Sequence, residues 1–304
     1  MKTKKLSMRF IAMFIVAIMM IGVMTPIVHA TNIIEQLNKE NSGDDTLHYV
    51  SLGASNTNGY GHHGYLDSEI YEDPLAAPKA NMNDYGYDKA PANAYPALIK
   101  NALEEKTGRD VELHQLAISS MRVEEVLWLL DDNFIPDEYM NWRFTGGKSW
   151  FDMAHKEGGR EALRVEYREY IANADVITVD LGWNNFGVYA FNNIMTILKE
   201  GGSRYWKAPS FDSIINSDKV EEYYDLRDKA IEILNQSADL TGTALSNDVI
   251  KMLADVLAYA TLGACYNFDK VIEKIYELNP DANVVVINIQ NLADELVLDL
   301  KGIQ

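Results

Sequence analysis

The chain has 304 residues, with 27 basic and 45 acidic side chains, a formal net charge of −18 and one cysteine. A polyanion of this kind is repelled by nucleic acid and by anionic membrane surfaces, so neither is an expected partner. The single cysteine, Cys265, excludes an intrachain disulfide, and its apolar surroundings are those of an inert thiol.

Lys2, Lys4, Lys5 and Arg9 precede an apolar run from Phe10 to Met24, Pro26 ends it, and Val28-His29-Ala30 offers small residues for cleavage. This is the plan of a secretory signal peptide over residues 1–30, cleaved after Ala30, and the run is short for a membrane span. The expected product is secreted, bacterial and without stable membrane association. Cleavage removes four basic and no acidic residues, leaving 23 against 45 and a net charge of −22. Residues 31–45 read as a polar leader. Residues 46–304 read as one α/β domain, long enough to bury a sizeable core.

Leu47 to Leu52 is an apolar run that reads as a buried strand. Gly53-Ala54-Ser55 then reads as a sharp turn, glycine being free to take backbone angles other residues avoid. Ser55 at the carboxyl end of a strand sits where open α/β sheets place ligands, facing the amide groups of a following helix. That is a place for a nucleophile, although a plain loop with a capping serine has the same pattern. Residues 60–90 carry Tyr60, Tyr65, Tyr71, Tyr85 and Tyr87. They can line a substrate groove or pack on one another. His62 and His63 in this loop lack zinc-type spacing and read as surface residues, so no metal is expected.

Pro91 opens a helix with a stripe of Ala94, Leu98, Ala102 and Leu103, closed by Gly108. Val111 to Ala117 is the second strand, followed by Ile118-Ser119-Ser120-Met121-Arg122 as a turn and a helix with Val123, Val126, Leu127 and Leu130 on one face. The aromatics between Asp131 and Asp152 read as a local core. After a helix over 159–173, Ala174 to Leu181 forms a third strand, with Gly182-Trp183-Asn184-Asn185 at its carboxyl end. An asparagine amide beside a glycine turn supplies donors for an oxyanion, or it satisfies its own turn. Three helical stripes follow, beginning at Val220, Val249 and Val271, and Ala282 to Ile289 is a fourth, nearly all-apolar strand.

Gly53-Ala54-Ser55-Asn56-Thr57-Asn58-Gly59, Leu116-Ala117-Ile118-Ser119-Ser120-Met121-Arg122 and Asp180-Leu181-Gly182-Trp183-Asn184-Asn185 resemble, in order and setting, the three blocks of the SGNH, or GDSL-type, hydrolases. The resemblance implies a three-layer α/β/α sandwich like flavodoxin, with strand order 2-1-3-4 and room for a fifth. It implies a serine esterase without cofactor or metal, acting on acyl or acetyl esters of a small molecule or polysaccharide. Ser55 would be the nucleophile. Its N–H, the N–H of Ser120 and the side chain of Asn184 would form the oxyanion hole.

Ala54 stands where the family has aspartate and Ser120 where it has glycine. The family's base is a histidine in an Asp-x-x-His block near the carboxyl end, whereas no histidine follows His155. A serine hydroxyl without a base is a poor nucleophile, so the chain is expected to be incomplete at its carboxyl end. The alternative is a non-catalytic glycan-binding protein on the same scaffold.

Overall fold

The computed structural model describes residues 34, 37, 46–59, 90–136, 138–145, 159–200, 219–241 and 245–287. Residues 1–30, the tyrosine-bearing loop with His62 and His63, His155 and the tail after 287 lie outside the described residues.

Strands β1 (Thr46–Gly53), β2 (Asp110–Ala117), β3 (Val176–Asp180) and β4 (Asn283–Val286) form one sheet in the order β2-β1-β3-β4. Every pairing is parallel, so the α/β class and the strand order agree with the sequence. Parallel strands need long crossovers, and these carry α1 (Tyr95–Thr107), α2 (Val123–Leu130), α3 (Glu138–Thr145), α4 (Gly159–Ala172), α5 (Phe191–Glu200), α6 (Val220–Thr241) and α7 (Asn247–Leu278). One sheet face, with Val50, Leu52, Leu116, Ile177 and Val179, packs on α2, α4 and the second half of α7. Leu47, Tyr49, Val111 and Val176 point the other way and meet Ile99 and Leu103 of α1. Covered on both faces, the strands read as apolar runs rather than alternating ones.

The structure corrects several boundaries. Helix α1 begins at Tyr95, with Pro96 in its first turn, and Pro91 lies before it. Leu98 and Ala102 are exposed, because Ile99 and Leu103, one turn apart, face the sheet instead. Gly108 does close the helix, at φ 70°, donating its N–H to the Glu104 carbonyl. Helix α2 is buried on every side, Glu124 and Glu125 included, so its acidic residues mark no solvent face. The stripes beginning at Val249 and Val271 belong to one 32-residue helix, α7. Its first half joins α5, α6 and Tyr139 in a second core, while its second half serves the sheet. An apolar window of α7 is long enough to cross a membrane, but 67% of it is buried inside the fold.

Candidate active site

The carboxyl ends of β1, β2 and β3 carry the three sequence blocks side by side, since Gly53 pairs with Ala117 on one side and Asp180 on the other. Gly53 is required by close approach, not by an unusual φ. A Cβ there would lie 1.8 Å from Thr57 Oγ1 and 3.0 Å from the Asp180 carbonyl oxygen. The residues after Ser55 form a turn, with Asn58 N–H on the Ala54 carbonyl (3.0 Å) and Gly59 N–H on the Asn56 carbonyl (3.3 Å). The expected helix directly after Ser55 is therefore replaced by this tight turn. Gly59, at φ 77°, closes it against Pro91. Ser55 is half-buried and Asn56 exposed at its tip.

The second block follows β2 as a turn in which Met121 N–H bonds the Ile118 carbonyl at 3.1 Å. Ser120 has φ 69°, the one non-glycine residue in the left-handed region among the described residues. That conformation costs an L-residue roughly 1–2 kcal/mol, and it falls at the position where the resembled family carries glycine. Asn58 Nδ2 donates to Ser119 Oγ at 3.0 Å, tying the first loop to the second.

After β3, Gly182 turns the chain at φ 107°. Asn184, buried, donates its Nδ2 to the Met121 carbonyl at 2.7 Å, tying the third loop to the second. An amide carries two N–H donors, and this bond uses one. Asn185 is fully committed elsewhere. Its Oδ1 accepts from Val123 N–H (3.2 Å) at the start of α2, and its Nδ2 donates to both oxygens of Glu124 (2.9 and 2.8 Å). Asn267 of α7 adds a second donor to Glu124. A π-helical turn follows, Asn185–Ala190, in which Phe191 N–H reaches the Phe186 carbonyl. Trp183 before this turn and Phe191 after it are exposed.

Beneath the loops lies a buried ion pair. Arg122 donates its backbone N–H and guanidinium to Glu125 (2.8–3.1 Å), and its guanidinium stacks on Tyr139 and Tyr189 at 4.8 and 5.3 Å.

Sequence reasoning missed one group at this edge. Tyr95 O–H donates to Thr57 Oγ1 (2.9 Å), and Thr57 donates to Asp180 Oδ2 (3.3 Å). Burial pushes the Asp180 carboxyl up to about 6, the Thr57 hydrogen bond opposing it, and burial with the Asp180 charge raises Tyr95. An aspartate ending a buried strand beside a serine turn was the available signal. His48 and His114, the histidines among the described residues, lie toward the other end of β1 and β2, away from Ser55. Cys265 on α7 has its thiol raised by burial, which leaves it protonated and unreactive.

No protein-family model, curated protein or solved structure matches the chain.

Proposed function

We propose that the chain is an exported ester hydrolase of the SGNH type, on a three-layer α/β/α sandwich, acting on acyl or acetyl esters, those of carbohydrates included. The observation that carries this reading is the lacing of three loops at one sheet edge. Asn58 bonds Ser119 and Asn184 bonds the Met121 carbonyl, so the loops that carry Ser55, Ser120 and Asn184 are hydrogen-bonded to one another. The left-handed Ser120 supports it as well, since strained backbone gathers at functional sites.

In this reading Ser55 Oγ attacks the ester carbonyl carbon while its proton passes to a general base, the role the resembled family gives a histidine of an Asp-x-x-His block, which returns the proton to the departing alcohol. The carbonyl oxygen becomes an oxyanion that takes hydrogen bonds from the N–H groups of Ser55 and Ser120 and from the remaining Asn184 N–H. Collapse expels the alcohol, and water then releases the acid from the acyl-serine. Exposed Trp183 and Phe191 offer flat apolar surface for the substrate.

The test is hydrolysis of p-nitrophenyl acetate and of acetylated oligosaccharides by the protein in the longest form its gene encodes. Ser55→Ala is expected to lower kcat by roughly 10⁴-fold or more at unchanged fold. Turnover that survives Ser55→Ala would overturn the proposal. Saturable glycan binding with no turnover would favour the binding-protein alternative.

A further inference from the structure

We infer that His48, Glu112 and His114 form a binding site for a divalent transition-metal ion of the zinc class, on the sheet face near the amino-terminal end of β1 and β2. Parallel pairing creates it: His48 stands opposite Glu112, and Val50 opposite His114. Side chains two apart on a strand share a face, so all three project from the same side of the sheet. His48 Nδ1 lies 3.4 Å from Glu112 Oε2, and His114 Nε2 lies 3.8 Å from Glu112 Oε1. One ligand atom from each residue falls within 4.8 Å of the other two. Zinc bonds to imidazole and carboxylate are about 2.0–2.2 Å, which puts neighbouring ligand atoms of a tetrahedral centre roughly 3.3–3.5 Å apart. The cluster is within about an ångström or two of that spacing before any ion draws it in.

Its surroundings suit a cation. The three residues line an open cavity of about 500 Å³, shared with Glu169, Asp175, Tyr170 and Arg109. Three carboxylates there face one guanidinium, whose Nη2 donates to the Thr46 carbonyl at 3.3 Å. The His114 ring is held by stacking on Tyr170, with centroids 4.0 Å apart, and the His48 ring lies nearly parallel to the His114 ring, stacked at 5.8 Å. Glu112 is more than half exposed and His48 a third exposed, leaving an entry path and room for water as a fourth ligand. Two histidines and a carboxylate with an open position are a donor set that zinc, copper and nickel accept and magnesium and calcium do not favour.

The site lies about 10–16 Å along β1 from Gly53, counting three residues from the level of His114 and five from His48 at about 3.3 Å each. An ion held there does not reach Ser55. It clips the edge strand β2 to β1 and acts on stability.

The experiment titrates the metal-free protein with zinc chloride by calorimetry, and with cobalt chloride by visible absorption. His62, His63 and His155 are first changed to Gln so that they cannot contribute. One ion per chain is expected, with a tetrahedral cobalt spectrum. At about a hundredfold excess over Kd, a rise in Tm of roughly 5 °C is expected. Glu112→Gln and His48→Gln, both at partly exposed positions, should each weaken binding at least tenfold while leaving the metal-free Tm nearly unchanged. Absence of saturable binding below millimolar zinc, or affinity unchanged from the parent protein in Glu112→Gln and His48→Gln, would overturn the inference. Esterase activity is not a readout here, so failure of this site and failure of the Ser55 reading are distinguishable.

Discussion

Asp180 and Asn185 show how single side chains at the sheet edge divide between chemistry and support. The Asp180 carboxyl is raised to about 6 because burial outweighs its hydrogen bond from Thr57. A carboxyl whose folded pKa exceeds its unfolded value of 3.8 contributes stability that is full below that value and lost as pH rises through about 6. The shift corresponds to about 3 kcal/mol. Asp180→Asn, which keeps an acceptor for Thr57, is therefore expected to flatten the loss of stability between about pH 4 and about pH 7 in urea melts. An unchanged pH slope would contradict the burial argument. The two asparagines should separate in the opposite sense. Asn184→Ala is expected to lower kcat by roughly 10² to 10³ with little change in KM, as for a lost oxyanion donor. Asn185→Ala strips a donor from the buried Glu124 carboxylate and an acceptor from Val123 N–H. It is expected to cost about 1–3 kcal/mol in stability. Loss of kcat at full stability in Asn185→Ala would mean the assignments are exchanged.

At the scale of elements, α2 is the one the sequence described least well. Its stripe of Val123, Val126, Leu127 and Leu130 is buried as expected, but so are Glu124, Glu125 and Trp128. Nothing in the local pattern announces that Arg122 pairs with Glu125, or that Asn185 and Asn267 arrive from β3's loop and α7 to satisfy Glu124. Those partners are set by tertiary packing. Removing the Arg122 side chain takes the guanidinium from Glu125 in a dry site and leaves the backbone N–H of residue 122 as a donor, so Arg122→Ala is expected to cost about 3–5 kcal/mol in chemical denaturation. A cost below about 1 kcal/mol would mean water reaches the pair. The turn before α2 responds in the other direction. Ser120→Gly relieves a left-handed serine and is expected to hold or raise Tm, whereas Ser120→Val should lower it. The strands were legible because β1 and β3 are mostly buried and mostly apolar, with Ser51 and Thr178 the polar residues fully inside them. The cluster of His48, Glu112 and His114 was not, because it exists only through the β1–β2 register.

Across the molecule, the strand order β2-β1-β3-β4 brings three loops, far apart in sequence, to one edge. The strands were legible from apolar runs separated by helical stripes, and their order was an expectation of the family resemblance. That the Asn58 and Asn184 amides would lace the loops together was not, since neither residue's partner is near it in the chain. The same topology keeps the serine turn at the carboxyl ends of the strands and the histidines toward the amino ends, so the two proposed sites can be tested independently. The central claim is that Ser55 is an acyl-accepting nucleophile. Its most direct measurement is treatment of the protein, in the longest form its gene encodes, with a fluorophosphonate, followed by peptide mapping. The account predicts covalent label on Ser55, lost in Ser55→Ala and slowed in Asn184→Ala. Label on a different serine, or none at all on folded protein, would contradict it.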